Sequence, residues 1–156
     1  MNDLDAKILQ RLAEDARTPH AQIAEDVRLS RPAVAERIKK LEHAGVIQGY
    51  TAVVNPEAVG KSVTAFISAK LPGVVDREVR AALQALLQNE DILEVHAVAG
   101  DDCFLLKVRT ADMHSLNEIV NSLKEPPLSF ATRTTIVLET YFEKIGGAVL
   151  YRQDSK

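Results

Sequence analysis

The chain has 156 residues, a formal net charge of −3, 46% hydrophobic and 26% charged residues, and one cysteine. This composition is ordinary for one medium or two small globular domains. No apolar run approaches the roughly 20 residues that span a bilayer, and the N-terminus lacks the basic and apolar segments of a signal peptide. Because Cys103 cannot form an internal disulfide, we expect a protein of the reducing cytoplasm that has no membrane partner.

Charge is distributed unevenly near the N-terminus. Residues 1–27 are acid-rich, whereas residues 28–43 carry an excess of Arg and Lys. The total charge does not indicate nucleic-acid binding, but one short segment is locally basic inside an acidic protein.

Three helices are predicted before residue 46. In the first, Leu4, Ile8 and Leu12 recur every fourth residue and form one apolar face. Asp3 or Asp5 is suited to cap its free N–H groups.

Helix-start signals then recur twice. Thr18 is expected to be the N-cap of a short second helix, with Pro19 at its first position. Ser30 is a good N-cap for a third helix, which Gly45 ends. Its apolar side is formed by three residues at helical spacing: Val34, Ile38 and Leu41.

After Gly45 the pattern changes to extended chain over residues 46–54 and a turn or short helix start at residues 55–57. We place the domain boundary near residue 60, which gives domains 1–60 and 61–156. The second domain is predicted to contain, in order, a strand at 63–71, a helix at 76–87, strands at 92–98 and 103–109, a helix at 113–123 and a strand at 129–138. The order β-α-β-β-α-β is ferredoxin-like, so the fold class is α+β.

Two short helices, a tight turn and a basic third helix are typical of a helix-turn-helix domain, which offers the exposed face of the third helix to the DNA major groove. We expect one group near base edges: Arg31, Pro32, Ala33 and Glu36. A second group is assigned to phosphates: Arg28, Lys39 and Lys40. Ser30 opens the helix, and Arg37 either contacts a phosphate or ties helices together through Glu14 or Asp15. A Lys-Lys pair is also common on a merely solvated helix face.

The residues at these positions resemble the Lrp/AsnC feast/famine regulators. The N-terminal match comprises Leu4-Asp5, Ile8-Leu9, Asp15-Ala16-Arg17, Ile23-Ala24, Leu29-Ser30, Val34, Arg37-Ile38, Leu41-Glu42, Gly45-Val46-Ile47 and Gly49-Tyr50. The C-terminal match comprises Asn55-Pro56, Gly60, Val98-Ala99-Gly100-Asp101, Leu105-Leu106-Lys107-Val108, Thr132-Arg133-Thr134 and Ile136-Val137-Leu138. The resemblance implies a winged-helix-type DNA-binding domain and a ferredoxin-like domain that dimerises, with dimers often assembling into octamers. Many family members sense amino acids between dimers.

One turn departs from the family pattern, which usually has Asp where this chain has Cys103. A carboxylate there would anchor an ammonium group more strongly than a neutral thiol does. The candidate effector site contains Gly100, Asp101, Asp102, Cys103, Thr132 and Thr134. The same residues are also compatible with a plain hairpin and with threonines that only favour β-structure.

Other chemistry has little support in the sequence. The four histidines lack metal-ligand spacing, and neither a phosphate-cradling glycine motif nor a catalytic cluster is recognisable. We therefore expect no enzyme activity, no cofactor and no metal. The favoured function is a homo-oligomeric regulator that binds double-stranded DNA at the nucleoid and responds to an effector such as an amino acid. The alternatives are a ligand-independent protein that wraps DNA and a small dimeric enzyme with a helical appendage.

Overall fold

The computed structural model describes residues 2–143. These residues form α1 (Asp3–Glu14), α2 (His20–Val27), α3 (Arg31–His43), β1 (Val63–Lys70), α4 (Arg77–Ala85), β2 (Ile92–Ala97), β3 (Phe104–Thr110), α5 (Met113–Lys124) and β4 (Ala131–Ile136). Short 3₁₀ turns lie at Glu57–Val59 and Leu86–Gln88. Contacts divide the described residues into two compact units, residues 2–53 with residue 143, and residues 54–142. Within residues 2–143, no helix has the length and apolar composition required to cross a bilayer.

The first unit packs three helices around one apolar core. Ile8 of α1, Ile23 of α2 and Val34 of α3 are fully buried, and Ile38 of α3 is buried beside them. The predicted fourth-residue spacing on α1 produces this arrangement, because it places Leu4, Ile8 and Leu12 on one face.

Two of the predicted helix caps are wrong by one to three residues. Asn2 caps α1, its Oδ1 accepting a hydrogen bond from the Asp5 N–H at 2.8 Å, so neither Asp3 nor Asp5 is the cap. The residue before α2 is Pro19 rather than Thr18, and the Thr18 hydroxyl donates to the Asp15 carbonyl instead. Asn, Asp, Ser and Thr are nearly equivalent as caps, so neighbouring candidates compete.

The segment between the units is not part of a sheet. Residues 46–54 are predicted as extended chain, but they form no strand. The four described strands all lie further along the chain and pair with one another. A strand needs a hydrogen-bonded neighbour as well as an extended backbone.

The second unit has the predicted β-α-β-β-α-β order. Its sheet is antiparallel throughout, with strand order β2-β3-β1-β4. One face packs against α4 and α5 and buries alternate residues of the two central strands, such as Ile67 and Leu106. The alternate residues that point the other way, Phe66 and Leu105 among them, stay partly exposed. Strand alternation thus gives the sheet one covered and one open face.

Candidate nucleic-acid interface and turn site

α3 is well defined at both ends. The Ser30 hydroxyl accepts a hydrogen bond from the Ala33 N–H at 3.4 Å, as predicted. At the other end, the N–H groups of Gly45 and Val46 donate to the carbonyls of Glu42 and Leu41, both at 2.9 Å. Gly45 has a φ of +68°, which a residue with a side chain adopts at a cost. This paired closure is a Schellman motif.

The two sides of α3 differ as predicted. Val34, Ile38 and Leu41 are buried. The exposed residues are Arg31, Pro32, Glu36, Lys39, Lys40, Glu42 and His43, whereas Ala33, Ala35 and Arg37 are half-buried. The structure therefore brings the predicted base-edge residues together with Lys39 and Lys40 on α3, places Arg37 at the margin, and leaves the predicted phosphate contact Arg28 before the helix, in the turn after α2.

Ion pairs connect α1 to both other helices of the first unit. Arg37 Nη1 lies 2.7 Å from Asp5 Oδ1, and Arg11 Nε lies 2.7 Å from Asp26 Oδ2. A tie between helices through Arg37 was one of two predictions for this residue, but its partner is Asp5 rather than Glu14 or Asp15. α1 thereby braces the pair of helices that presents the exposed basic surface.

Arg28 occupies a left-handed conformation between α2 and α3, with φ 54° and ψ 48°. The N–H of Leu29 donates to the Ala24 carbonyl at 2.9 Å, which closes α2. Here an exposed arginine occupies the position for which glycine is usually selected. This backbone conformation is strained for a residue with a side chain. The structure around Arg28, and not Arg28 itself, therefore holds the turn in this conformation.

Beside α3 lies an open cavity of about 310 Å³ that the sequence did not predict. His20, Lys39, Glu42 and Tyr50 contribute to its lining. The Tyr50 hydroxyl donates to Glu42 Oε1 at 2.9 Å. Partial burial, with the hydrogen bond and the negative charge of Glu42, raises the pKa of Tyr50 to about 12. Tyr50 thus ties the chain that leaves the first unit to the C-terminal turn of α3.

The turn between β2 and β3 is closed by a hydrogen bond from the Val98 N–H to the Cys103 carbonyl at 3.0 Å. Gly100 has a φ of +137°, a conformation that side chains disfavour. Cys103 is half-buried and packs against the core of the second unit, while Asp101 is exposed. The hairpin predicted around Asp101 and Asp102 is therefore present.

Asp102 is not an unpaired carboxylate. Its Oδ2 lies 3.0 Å from Nη2 of Arg133 on β4, two strands away from β3. Thr132 and Thr134 pair with Ala69 and Ile67, whose side chains are buried on the helix-covered face. Arg133 pairs with Ser68, which alternates with them. The structure thus places the two threonines on one face of β4 and Arg133 on the other.

Other titratable groups of the described residues also form contacts on β2. Within residues 2–143, no group of three or more His, Cys, Asp or Glu side chains is arranged to hold a metal ion. His96 Nε2 lies 2.9 Å from Glu94 Oε2, and this contact is the main cause of a lowered Glu94 pKa. His96 is exposed on β2.

Comparison with known proteins matches both units in order. A model of the AsnC-type helix-turn-helix domain matches residues 1–42, and a model of the Lrp/AsnC ligand-binding domain matches residues 64–146. The HTH-type transcriptional regulator FL11 of Pyrococcus abyssi is 36% identical over 143 residues, which is 92% of this chain and 93% of that protein. The transcriptional regulator LrpA of Mycobacterium tuberculosis is 32% identical, over 91% and 93% of the two chains.

A solved structure agrees with these sequence relatives. The feast or famine regulatory protein of M. tuberculosis, complexed with L-methionine, superposes with a TM-score of 0.84 and 31% identity, over 92% of this chain and 96% of that one. The fold and these matches together define a helix-turn-helix transcriptional regulator. The chain belongs to the Lrp/AsnC family, as its sequence resemblance predicted.

Proposed function

We propose that this regulator reads DNA sequence through the exposed surface of α3. The observation that carries the proposal is the separation on one helix of the buried residues Val34, Ile38 and Leu41 from the exposed Arg31, Lys39 and Lys40. A helix held in this way fits the major groove, where cationic side chains at its edges neutralise phosphates. In this proposal Arg31, Pro32, Ala33 and Glu36 lie near base edges, Ser30 fixes the start of the helix, and Arg28, Lys39 and Lys40 contact phosphates.

Salt-dependent binding to duplex DNA tests this proposal. Each phosphate contact contributes about −0.9 to the slope of log affinity against log salt concentration, so Lys39→Ala and Lys40→Ala should each make the slope shallower by about that amount. Lys7→Ala is the matched control, because Lys7 is an exposed lysine of the same unit that lies on α1 and pairs with Asp3 at 2.9 Å. Equal slopes for all three variants would contradict the proposal.

Arg31 has a different expected role. If Arg31 donates two hydrogen bonds to a guanine, Arg31→Ala should reduce the preference for the specific site by about 1–3 kcal/mol and change binding to random DNA much less. Equal losses on specific and random DNA would contradict a role in reading bases.

We also propose that residues 61–156 form the oligomerisation domain and residues 1–60 the DNA-binding domain. This division of labour is supported by the open face of the sheet, where the large apolar Phe66, opposite Lys107, is 37% exposed and Leu105 is half-buried. A second copy of this face would remove that apolar surface from water. Dimers in turn favour an imperfect palindrome, with half-sites about one or two helical turns apart. Further assembly into octamers, a cytoplasmic location and association with the nucleoid belong to the same proposal.

An effector site is the second part of the proposed function. One relative of this chain was solved with L-methionine, and residues 64–146 match a ligand-binding domain. In the turn that holds Gly100, Asp101, Asp102 and Cys103, the N–H of Cys103 donates to the Ala69 carbonyl at 3.0 Å. The proposed ligand contacts there are therefore the N–H groups of Gly100, Asp101 and Asp102, beside a glycine that permits close approach. If a ligand that binds there also changes the assembly state, the shift in the assembly equilibrium cannot exceed the difference between the ligand's affinities for the two states. Thr132 and Thr134 would contribute from the helix-covered side of β4.

The alternative is a regulator that organises DNA without an effector. Cys103, at the position where the family resemblance implies Asp, favours this alternative over amino-acid sensing. Footprinting of DNA upstream of the chain's own gene, with and without amino acids, separates the two. A footprint that changes with one amino acid supports sensing, and an unchanged footprint supports the architectural role.

A further inference from the structure

Glu36 is an anionic group in the middle of the cationic surface of α3. It lies two residues from the buried Val34, which places it about 200° around the helix and therefore on the opposite side. Its side chain is 63% exposed. The neighbouring Ala33 and Ala35 are small and apolar, so they leave room for close approach to a surface.

The charge of Glu36 is only weakly compensated. Among residues 2–143 its one ion-pair partner is Lys40, whose Nζ lies 3.8 Å from Glu36 Oε1, and both side chains are largely exposed. Glu42, one and two-thirds turns further along α3, differs because its carboxylate accepts a hydrogen bond from the Tyr50 hydroxyl at 2.9 Å. Glu36 therefore keeps acceptor capacity for an outside donor, whereas Glu42 is engaged within the first unit.

The chemistry of the major groove restricts what such a group can contact. An ionised carboxylate only accepts hydrogen bonds, and phosphates repel it. Guanine presents two acceptors in the major groove, and thymine presents an acceptor and a methyl group. Adenine has an amino donor beside the acceptor N7, whereas cytosine offers its N4 amino group without an adjacent acceptor. Cytosine is thus the base that a carboxylate suits best.

We propose that Glu36 determines sequence specificity by accepting a hydrogen bond from the N4 amino group of a cytosine in each half-site, and that it disfavours guanine at the same position. This inference rests on the proposed function, because it requires α3 to lie in the major groove. It assigns to Glu36 a discriminating role: the negative charge weakens binding to every sequence through repulsion by phosphates, and the hydrogen bond offsets this loss only where cytosine occupies that position.

Selection of binding sites from random duplexes tests the inference with the full-length protein, Glu36→Gln and Glu42→Gln. Both substitutions remove one negative charge from α3, so both should tighten binding to random DNA to a similar extent. Only Glu36→Gln should lose the cytosine preference at one position of the half-site, by about tenfold or more, and shift it towards adenine, which a glutamine amide contacts with two hydrogen bonds.

The outcomes separate the inference from the function on which it rests. Retention of the same cytosine by Glu36→Gln, or an equal change of preference in Glu42→Gln, would overturn the role of Glu36 while leaving DNA reading by α3 intact. A natural sequence that selects no consensus would overturn both. Thermal melting of each variant checks that the fold is unchanged, which is expected because residue 36 is exposed.

Discussion

The guanidinium of Arg37 and the carboxylate of Asp5, 32 positions apart in the sequence, meet at 2.7 Å and join α3 to α1. Their side chains are 30% and 18% exposed, so the pair is shielded more than a surface ion pair but is not fully buried. Its position ties α3, which we propose reads DNA, to a helix that carries none of the predicted DNA contacts.

We expect Arg37 to stabilise the first unit rather than to bind a phosphate. In a double-mutant cycle of Asp5→Asn and Arg37→Ala, urea denaturation at fixed protein concentration should give a coupling of about 1 kcal/mol. The salt slope of DNA binding should not change in Arg37→Ala, in contrast to Lys39→Ala. A slope shallower by about 0.9 in Arg37→Ala would instead assign it to a phosphate.

In the turn between α2 and α3, we expect one substitution to raise the stability of the protein and to lower its affinity for DNA. Arg28→Gly relieves the left-handed conformation and should stabilise the protein by about 1 kcal/mol. Arg28→Ala keeps the unfavourable conformation and should not gain this stability. If Arg28 contacts a phosphate, both variants should lose the same DNA affinity.

At the end of α3, Gly45 allows the opposite substitution, in which a side chain is added at a left-handed position. A Cβ added at Gly45 would have nothing within 4 Å, so Gly45→Ala should be destabilising through its φ of +68° alone. A loss of about 1 kcal/mol in urea denaturation is expected. An unchanged midpoint would mean that the end of α3 adapts without cost.

Tyr50 should titrate at unusually high pH. The difference in ultraviolet absorbance between the natural sequence and Tyr50→Phe isolates its ionisation, for which we expect a pKa of about 12. Because the folded pKa lies above the ordinary 10.0, the contribution of Tyr50 to stability is complete below pH 10 and is lost as pH rises towards 12. Glu42→Gln should lower this pKa only in part, because burial is the largest cause of the shift. Ionisation near pH 10 in the natural sequence would show that both the partial burial of Tyr50 and its contact with Glu42 are absent in solution.

Assembly should depend on the open face of the sheet. In sedimentation at micromolar concentration we expect the natural sequence to be a dimer or larger, and Phe66→Asp to shift it towards monomer, because a charge on this face opposes its burial. Val74→Asp is the control, since Val74 is 80% exposed in the turn before α4. A monomeric natural sequence, or equal effects of both substitutions, would argue against this interface.

Ordinary amino acids should bind weakly or not at all. The thiol of Cys103 is a poor partner for an ammonium group, and Asp102 is engaged by Arg133 at 3.0 Å. Calorimetric titration of the twenty amino acids should show tighter binding for Cys103→Asp than for the natural sequence. Sub-millimolar binding by the natural sequence that is the same in the variant would contradict this interpretation of the turn.

The sequence predicted local features of this protein better than contacts between distant residues. Helical spacing correctly identified the buried face of α3, and strand alternation correctly placed Thr132 and Thr134 on a common face. The sequence did not identify which face that is, because the answer depends on the register of β4 against β1.

Pairings across elements were harder to predict for the same reason. Asp5, Glu14 and Asp15 are equally plausible partners for Arg37 until the crossing of α1 and α3 is known. The Tyr50–Glu42 contact and the adjoining cavity likewise depend on the path of residues 46–50, which form no regular structure. Most of the candidate DNA-facing residues lie on or next to one helix, so helical spacing alone was enough to nominate them.

The strand order β2-β3-β1-β4 has a consequence for how the chain acquires its structure. β1 pairs with β3 and β4, so the first strand made must wait for the two that are synthesised well after it. The three helices of the first unit, in contrast, contact one another within the first 43 residues. Because local contacts form faster than distant ones, we expect the helical unit to fold on the ribosome while β1 still has no partner. A newly made chain would then present α3, the helix that we propose reads DNA, before its sheet exists.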